Sequence, residues 1–310
     1  MMLDAEHKST DLNGMRKLPS AKRAQILATL CEGNAMRATA RLCDVSMNAV
    51  VKLLADAGEA CMWAHDDLVW NVNASKIQCD EVWAFCYAKK KNVAAAKAPP
   101  EGAGDIWTWT ALDADSKLIV SYFVGDRSSV SARALMDDLQ PRLANRVQLT
   151  TDGHHAYLSA VYGAFEEVGI DYAMLDKVYG AVPGKSAEAR YSPAPCVGTR
   201  KIVRAGKPDV AHVSTSYVER SNLSLRMHNR RFTRLTNAFS KRFEGHVNMV
   251  ALYTMFYNFV RVHKTLRVTP AMQAGLTDHI WTFEEIVAKI DYYAPASKPR
   301  GPYKKRAEKY

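Results

Sequence analysis

Between Ser20 and Leu54 apolar residues recur three and four positions apart, the spacing of one helix face. The stretch "SAKRAQILATLCEG" starts at a serine, carries Ile26, Leu27 and Leu30 inward, and stops at Gly33, which predicts a first helix. "AMRATARLC" predicts a second, "DVS" a short turn, and "MNAVVKLLADAG" a third. The last two fit a helix-turn-helix. Ala40 is the small residue at the helix contact, Val45 fills the turn, and the Ser46 hydroxyl accepts a free backbone N–H at the start of the third helix. Val50, Leu53 and Leu54 face inward. Ser46, Met47, Asn48, Val51 and Lys52 are left on the outer face, where a recognition helix meets a major groove. The spacing alone suits a plain three-helix bundle equally well; the turn chemistry and the net charge favour DNA.

After Asp66 the pattern changes to β-branched and aromatic runs. "KIQCDEVWAFCYAKK", "IWTWTAL" and "KLIVSYFVG" predict three strands, the last two joined by a hairpin turn over Asp113 to Ser116. "SVSARALMDDLQPRL" predicts an amphipathic helix, "RVQLTTDG" a fourth strand, "HHAYLSAVYGAFEEVG" a helix and "IDYAMLDKVYG" a fifth strand. Residues 180–214, rich in Gly, Pro and Ser, read as irregular. A helix in "SYVERSNLSLRMHNRR" follows, then a long one in "EGHVNMVALYTMFYNFVRVH". The stripe Tyr253, Phe256, Tyr257, Val260 on that helix is read as core packing rather than a base-stacking platform. "FEEIVAKID" predicts a short last helix. Three hairpin-joined strands followed by alternating strands and helices make an α/β fold, a mixed five-stranded sheet with flanking helices. The expected domains are an all-α helix-turn-helix domain over 1–66, an α/β domain over 72–275 with an insertion at about 180–214, and a C-terminal helix with a basic, disordered tail over 276–310.

Charge points to the partner. The net charge is +10, from 42 basic and 32 acidic residues, which favours a polyanion such as nucleic acid. It is unevenly spread. Residues 200–242 hold eleven Lys or Arg against only Asp209 and Glu219, and residues 297–310 hold six against Glu308. Six scattered cysteines form no C-x-x-C pair, so they read as small buried hydrophobes in a reducing compartment rather than disulfides or a zinc site. A polar N-terminus and the lack of a long apolar run predict no signal peptide and no membrane contact. The expected location is cytoplasmic and nucleoid-associated.

Three acids stand in special places. Asp80 is in the middle of the first strand, where Asp is disfavoured. Asp152 ends the fourth strand before Gly153, which lets the chain turn, and sites gather at carboxyl ends of strands. Glu219 is in the first turns of the basic helix. If the first and fourth strands are neighbours and that helix packs across them, the three carboxylates converge. Hard oxygen donors suit Mg²⁺ or Mn²⁺. Two such ions about 4 Å apart stabilise both the attacking and the leaving oxygen of a phosphoryl displacement. Singly, Asp152 could be a turn residue and Glu219 one end of an ion pair. Glu81 points to the opposite face of its strand and is set aside as a ligand. Asp113 and Asp115 suit the hairpin turn, Asp126 suits a helix cap, and His154 and His155 suit a polar first turn near phosphate.

"CDEVWAFCYAKKKN", "DIWTWTALDADSKLIVSYFVGDRSS", "TTDGHHAY" and "SYVERSNLSLRMHNRR" resemble the transposases of the insertion-sequence-one family, and more broadly the DDE transposase and retroviral-integrase superfamily. The resemblance spans roughly residues 75 to 270. It implies an RNase H-like fold and a metal-binding catalytic triad of Asp80, Asp152 and Glu219 with two Mg²⁺ or Mn²⁺ ions. Arg226, two helical turns after Glu219, matches a basic position of that helix. "YNFVRVHKTLRVTPAMQAG" resembles the segment that closes such domains. The 67 positions between Asp152 and Glu219 exceed the compact motif, hence the expected insertion; Glu188 is the upstream alternative for the third acid.

The resulting expectation is a DNA transposase of a bacterial insertion sequence. It would bind double-stranded DNA at element ends and target, cut, and transfer strands as a homodimer or larger assembly. Lys89, Lys90, Lys91, Arg226, Arg230 and Arg231 would hold phosphates, giving affinity without sequence choice. The alternatives are a non-catalytic helix-turn-helix protein with a decayed enzyme domain, and a ribonuclease H-like nuclease.

Overall fold

The computed structural model describes residues 17–180, 194, 196–233 and 236–294. The tail expected to be disordered, Ser297 to Tyr310, the polar lead-in before Lys17, and Glu188 lie outside the described residues.

Helices α1 (Ser20–Cys31), α2 (Met36–Leu42) and α3 (Met47–Leu68) form where the helical spacing placed them. Ser46 caps α3, its hydroxyl accepting the Ala49 N–H at 3.2 Å. Val45 N–H reaches back to the Ala40 carbonyl at 3.0 Å and closes the turn. Met47, Asn48, Val51 and Lys52 are exposed. α3 runs ten residues past the predicted "MNAVVKLLADAG". The reason is a second buried stripe of small residues, Ala57, Ala60, Cys61 and Ala64, spaced three and four apart. That stripe meets helix α7 (Phe243–Met255). At the crossing, a Cβ on Gly58 would come within 2.3 Å of the Asn248 Cβ, so the helices approach at a distance only glycine allows.

The sheet comprises β1 (Lys76–Cys86), β2 (Gly104–Asp113), β3 (Ile119–Gly125), β4 (Gln148–Asp152), β5 (Asp171–Tyr179) and β6 (Cys196–Ala205). Their spatial order is β3-β2-β1-β4-β5-β6. β1–β2, β2–β3 and β5–β6 are antiparallel; β1–β4 and β4–β5 are parallel. Helices α4 (Ser129–Leu139) and α5 (Ala156–Phe165) make the connections between the parallel strands. The first and fourth strands are neighbours, as convergence of the acids requires.

Six strands stand where five were expected. β6 lies inside the segment read as irregular. Being an edge strand with most residues exposed, it lacks a buried alternating face and so the signal that marks a strand. Arg200, Lys201 and Arg204 on it are the charges with which edges avoid pairing with other chains.

Helix α6 (Ser216–His228) follows, then α7, which runs into one wide turn over Phe256–Val260, then the single turn α8 (Pro270–Gln273) and α9 (Phe283–Tyr293). Tyr253, Phe256 and Tyr257 are 1%, 4% and 3% exposed, so the aromatic stripe is core. The wide turn aims Asn258 at the sheet, where it accepts the Ile119 N–H and donates to the Ile119 carbonyl, both at 2.9 Å. α9 returns to the N-terminal helices. Its Asp291 takes a two-pronged bond from Arg23 of α1 at 2.7 and 2.8 Å. One continuous hydrophobic cluster therefore reaches from α1 through the sheet to α9.

Candidate functional site

β1 builds the site from both of its faces. Gln78 and Asp80, two apart, point to the same side. The buried Gln78 carboxamide oxygen accepts the N–H groups of Tyr217 and Val218 at 2.9 and 3.1 Å, pinning the first turn of α6 onto the strand. One helical turn further, Asn222 donates to the Asp80 carboxylate at 2.8 Å. On the other face, Glu81 takes Arg127 Nε at 2.8 Å and a second guanidinium nitrogen at 2.6 Å on one oxygen. The Tyr157 hydroxyl of α5 donates to its other oxygen at 3.3 Å. Arg127 lies over the Trp107 ring, 4.6 Å from its centroid.

Asp152 closes β4, and its side chain accepts the His154 N–H at 3.0 Å, turning the chain into α5. The chain bends at Gly153, and a Cβ there would also sit 2.1 Å from the Asp176 carboxylate of β5. Cys79 pairs with Thr151 across the parallel β1–β4 ladder, so the two aspartates come next on neighbouring strands.

The carboxylates of Asp80, Glu81 and Asp152 lie within 4.8 Å of one another. Alternation puts Glu81 on the opposite face, as expected, yet its carboxylate reaches the other two. Sequence reasoning set it aside because period-two alternation gives direction but not reach. Burial first, then the Asp152 charge, lifts the Asp80 carboxyl to about 6; Glu219 adds to the rise and the Asn222 bond opposes it. Burial and then Asp152 also push Glu81 up to about 7, against the pull of Arg127. Carboxyls displaced this way can be relieved by a proton or by a cation.

Glu219 faces the same region from α6 but is not in that close group. Thr215 donates to its Oε1 at 2.5 Å, and Lys177 of β5 forms an ion pair with the same oxygen. Burial would lower Lys177, but the bond to Glu219 and the charge of that carboxylate together hold it above the ordinary lysine value. The sequence offered one cue to Lys177, the lone cation of β5, next to Asp176.

The expected DNA contacts are spread over the molecule. Ser46, Met47, Asn48 and Lys52 are together and exposed at the start of α3. Lys89, Lys90 and Lys91 are exposed beyond the end of β1, Lys89 lying 5.5 Å from the Trp83 ring centroid. Arg226 is half-buried on α6 and Arg230 exposed beyond it. Arg231 turns inward, its guanidinium 3.2 Å from the Ser240 hydroxyl and 3.4 Å from Met36 sulfur, and burial lowers its pKa to about 10. Among the described residues no helix is long and apolar enough to cross a membrane.

Fold and site together define a mixed α/β protein with a partly buried acidic centre on adjacent parallel strands. No family model matches the chain, and no curated protein does. Among solved structures it is similar to a piggyBac transposase in a synaptic complex with hairpin DNA, at 8% identity over 92% of this chain and 73% of that one, with a TM-score of 0.43. It is also similar to the Mos1 mariner paired-end complex with Mn, at 12% identity over 94% and 82%, with a TM-score of 0.26. The Mos1 strand transfer complex aligns at 15% identity over 55% of this chain and 60% of that one, with a TM-score of 0.22.

Proposed function

We propose that this chain is a DNA transposase of the DDE type, encoded by a bacterial insertion sequence, with an RNase H-like catalytic domain. One observation carries the reading: neighbouring parallel strands set Asp80 and Asp152 beside each other, with Glu81, in a carboxylate group within 4.8 Å. An all-oxygen, all-anionic donor set suits hard cations such as Mg²⁺ or Mn²⁺ better than softer metals. Asp80, Asp152 and Glu219 would hold them. Glu81 is a second possibility for the third carboxylate, favoured by its distance. When bound, two such ions supply Lewis-acid activation of the attacking oxygen and stabilisation of the leaving one.

The chain's own residues do the rest. Asn222 orients the Asp80 carboxylate, and Gln78 fixes the helix that carries Asn222 and Glu219. Arg226 and Arg230, with Lys89, Lys90 and Lys91, hold phosphates. Ser46, Met47, Asn48 and Lys52 meet the major groove of the element ends, with the helix-turn-helix as the end-recognition domain. Water cuts each end, and the freed 3′-hydroxyl attacks target DNA, which calls for a dimer or larger assembly on two ends.

The test is nicking of end-containing duplex in Mg²⁺ and Mn²⁺, with Asp152→Ala as control. Wild type should nick at least a hundredfold faster; equal rates would end the proposal. Glu219→Gln and Glu81→Gln, run side by side, identify the third carboxylate as the one whose loss abolishes the metal-dependent rate.

A further inference from the structure

Away from the acidic centre, α3, β3, α4 and the start of α7 border an open cavity of about 880 Å³. Its chemistry is opposite to that of the rest of the chain. In a molecule of net charge +10, five carboxylates line it: Asp56, Glu59, Asp66, Asp138 and Glu244. The one cation among its lining residues of Lys or Arg type, Arg142, is already held by Asp66 and Asp138. Asp56, Glu59 and Glu244 form no ion pair among the described residues. The walls are apolar and aromatic. Trp63 is 54% exposed and Met62 37% exposed, with Phe123 and Val247 beside them. An exposed Trp among carboxylates at the mouth of an apolar cavity suits a ligand with cations on an apolar or aromatic frame.

Such a segment belongs to the chain itself. Residues 297–310, "SKPRGPYKKRAEKY", carry six Lys or Arg, two tyrosines and one acid. They follow α9, which packs on α3, the helix that supplies Asp56, Glu59, Met62, Trp63 and Asp66 to the cavity. The end of α9 is fixed beside that wall: the Tyr293 hydroxyl donates to Asp67, the neighbour of Asp66. Fourteen residues span up to about 45–50 Å when extended, more than enough to cross the mouth of a cavity whose wall begins there.

We propose that this acidic, aromatic-lined cavity is the docking site of the chain's own basic segment, residues 297–310. The cations meet Asp56, Glu59 and Glu244, and Trp63 packs on the segment. Docked there, the segment's charge is withheld from DNA. The inference rests on the cavity and stands whether or not the chain cuts DNA.

Zero-length carbodiimide cross-linking of the full-length chain, read by peptide mass spectrometry, tests it. Equal amounts of ¹⁵N-labelled and unlabelled chain are mixed first. Lys304, Lys305 or Lys309 should join Asp56, Glu59 or Glu244, in pairs of one isotope only. Trp63→Ala keeps every carboxylate and should cut those products several-fold, with Trp63→Phe retaining most of them. Pairs of mixed isotope at the random frequency would make the occupant another copy's segment and overturn the proposal. So would the absence of these products, whatever else the segment joins, or a yield indifferent to both Trp63 variants.

Discussion

At the residue scale, the acidic centre is a liability without a cation. The Asp80 carboxyl titrates near 6, lifted by burial and by Asp152. That rise from the ordinary aspartate value costs the ionised, metal-free fold roughly 2–3 kcal/mol at neutral pH. Asp80→Asn keeps an oxygen for the Asn222 amide and removes the charge. In EDTA at pH 7.5 it should therefore melt a few degrees above wild type, and Mg²⁺ should raise the melting temperature of wild type only. A group whose folded pKa lies above its unfolded value binds more protons folded than unfolded between the two values. Stability from such a group is present at low pH and lost as pH rises through about 6. The advantage of Asp80→Asn should accordingly shrink as pH falls from 7.5 towards 4. Comparing the pair by urea unfolding cancels His65 and His246, whose burial lowers them to about 4 and about 3 and which act with the opposite sign. An advantage that grows on acidification would contradict the electrostatic account of the centre.

At the scale of elements, the helical and strand periods made most of the fold legible. Ser46 caps where a serine before an apolar run should, and Asp80 drew notice because a strand interior disfavours it. What stayed hidden depends on partners far along the chain. The second half of α3 is a stripe of small residues whose meaning appears only against α7. β6 is an edge strand with no face to bury. Gln78 shows its role only where α6 places two N–H groups on it. Glu81 reads as outside the site until the reach of its carboxylate is measured. The α3–α7 contact gives a sharp expectation. In an isolated helix Gly58→Ala would gain about 1 kcal/mol. Here the new methyl meets Asn248 at 2.3 Å, and overpacking of this kind costs about 1–3 kcal/mol. Gly58→Ala should thus lower the urea midpoint, and adding Asn248→Gly should not restore it, because the Asn248 Cα stays 2.5 Å from the new methyl. Asn258→Ala should cost roughly 1–3 kcal/mol by stranding the Ile119 N–H at the start of β3, while the Ile119 carbonyl keeps His65 Nε2 at 3.3 Å.

At the scale of the whole molecule, one hydrophobic cluster ties the N-terminal helices to the sheet and to the last helix. Residues expected to hold DNA are therefore mounted on the same body as the acidic centre. The exposed Lys89–Lys91 run lies outside any metal role, so its loss should affect affinity alone. Replacing all three by Ala should weaken duplex binding about equally for all sequences. It should also flatten the dependence of log affinity on log salt by about two to three, as fluorescence anisotropy across a salt series would report. An unchanged slope would remove this run from the interface.

The account as a whole requires that the acidic centre both cut DNA and join it. The most direct measurement is a strand-transfer assay with a labelled duplex bearing the sequences that flank the gene, a second unlabelled DNA, and Mg²⁺ or Mn²⁺. Wild type should give labelled products covalently joined to the second DNA, only with the cation, and Asp152→Ala should give none. Wild type that cuts without ever joining would leave a simple nuclease, and wild type that does neither would contradict the proposed function.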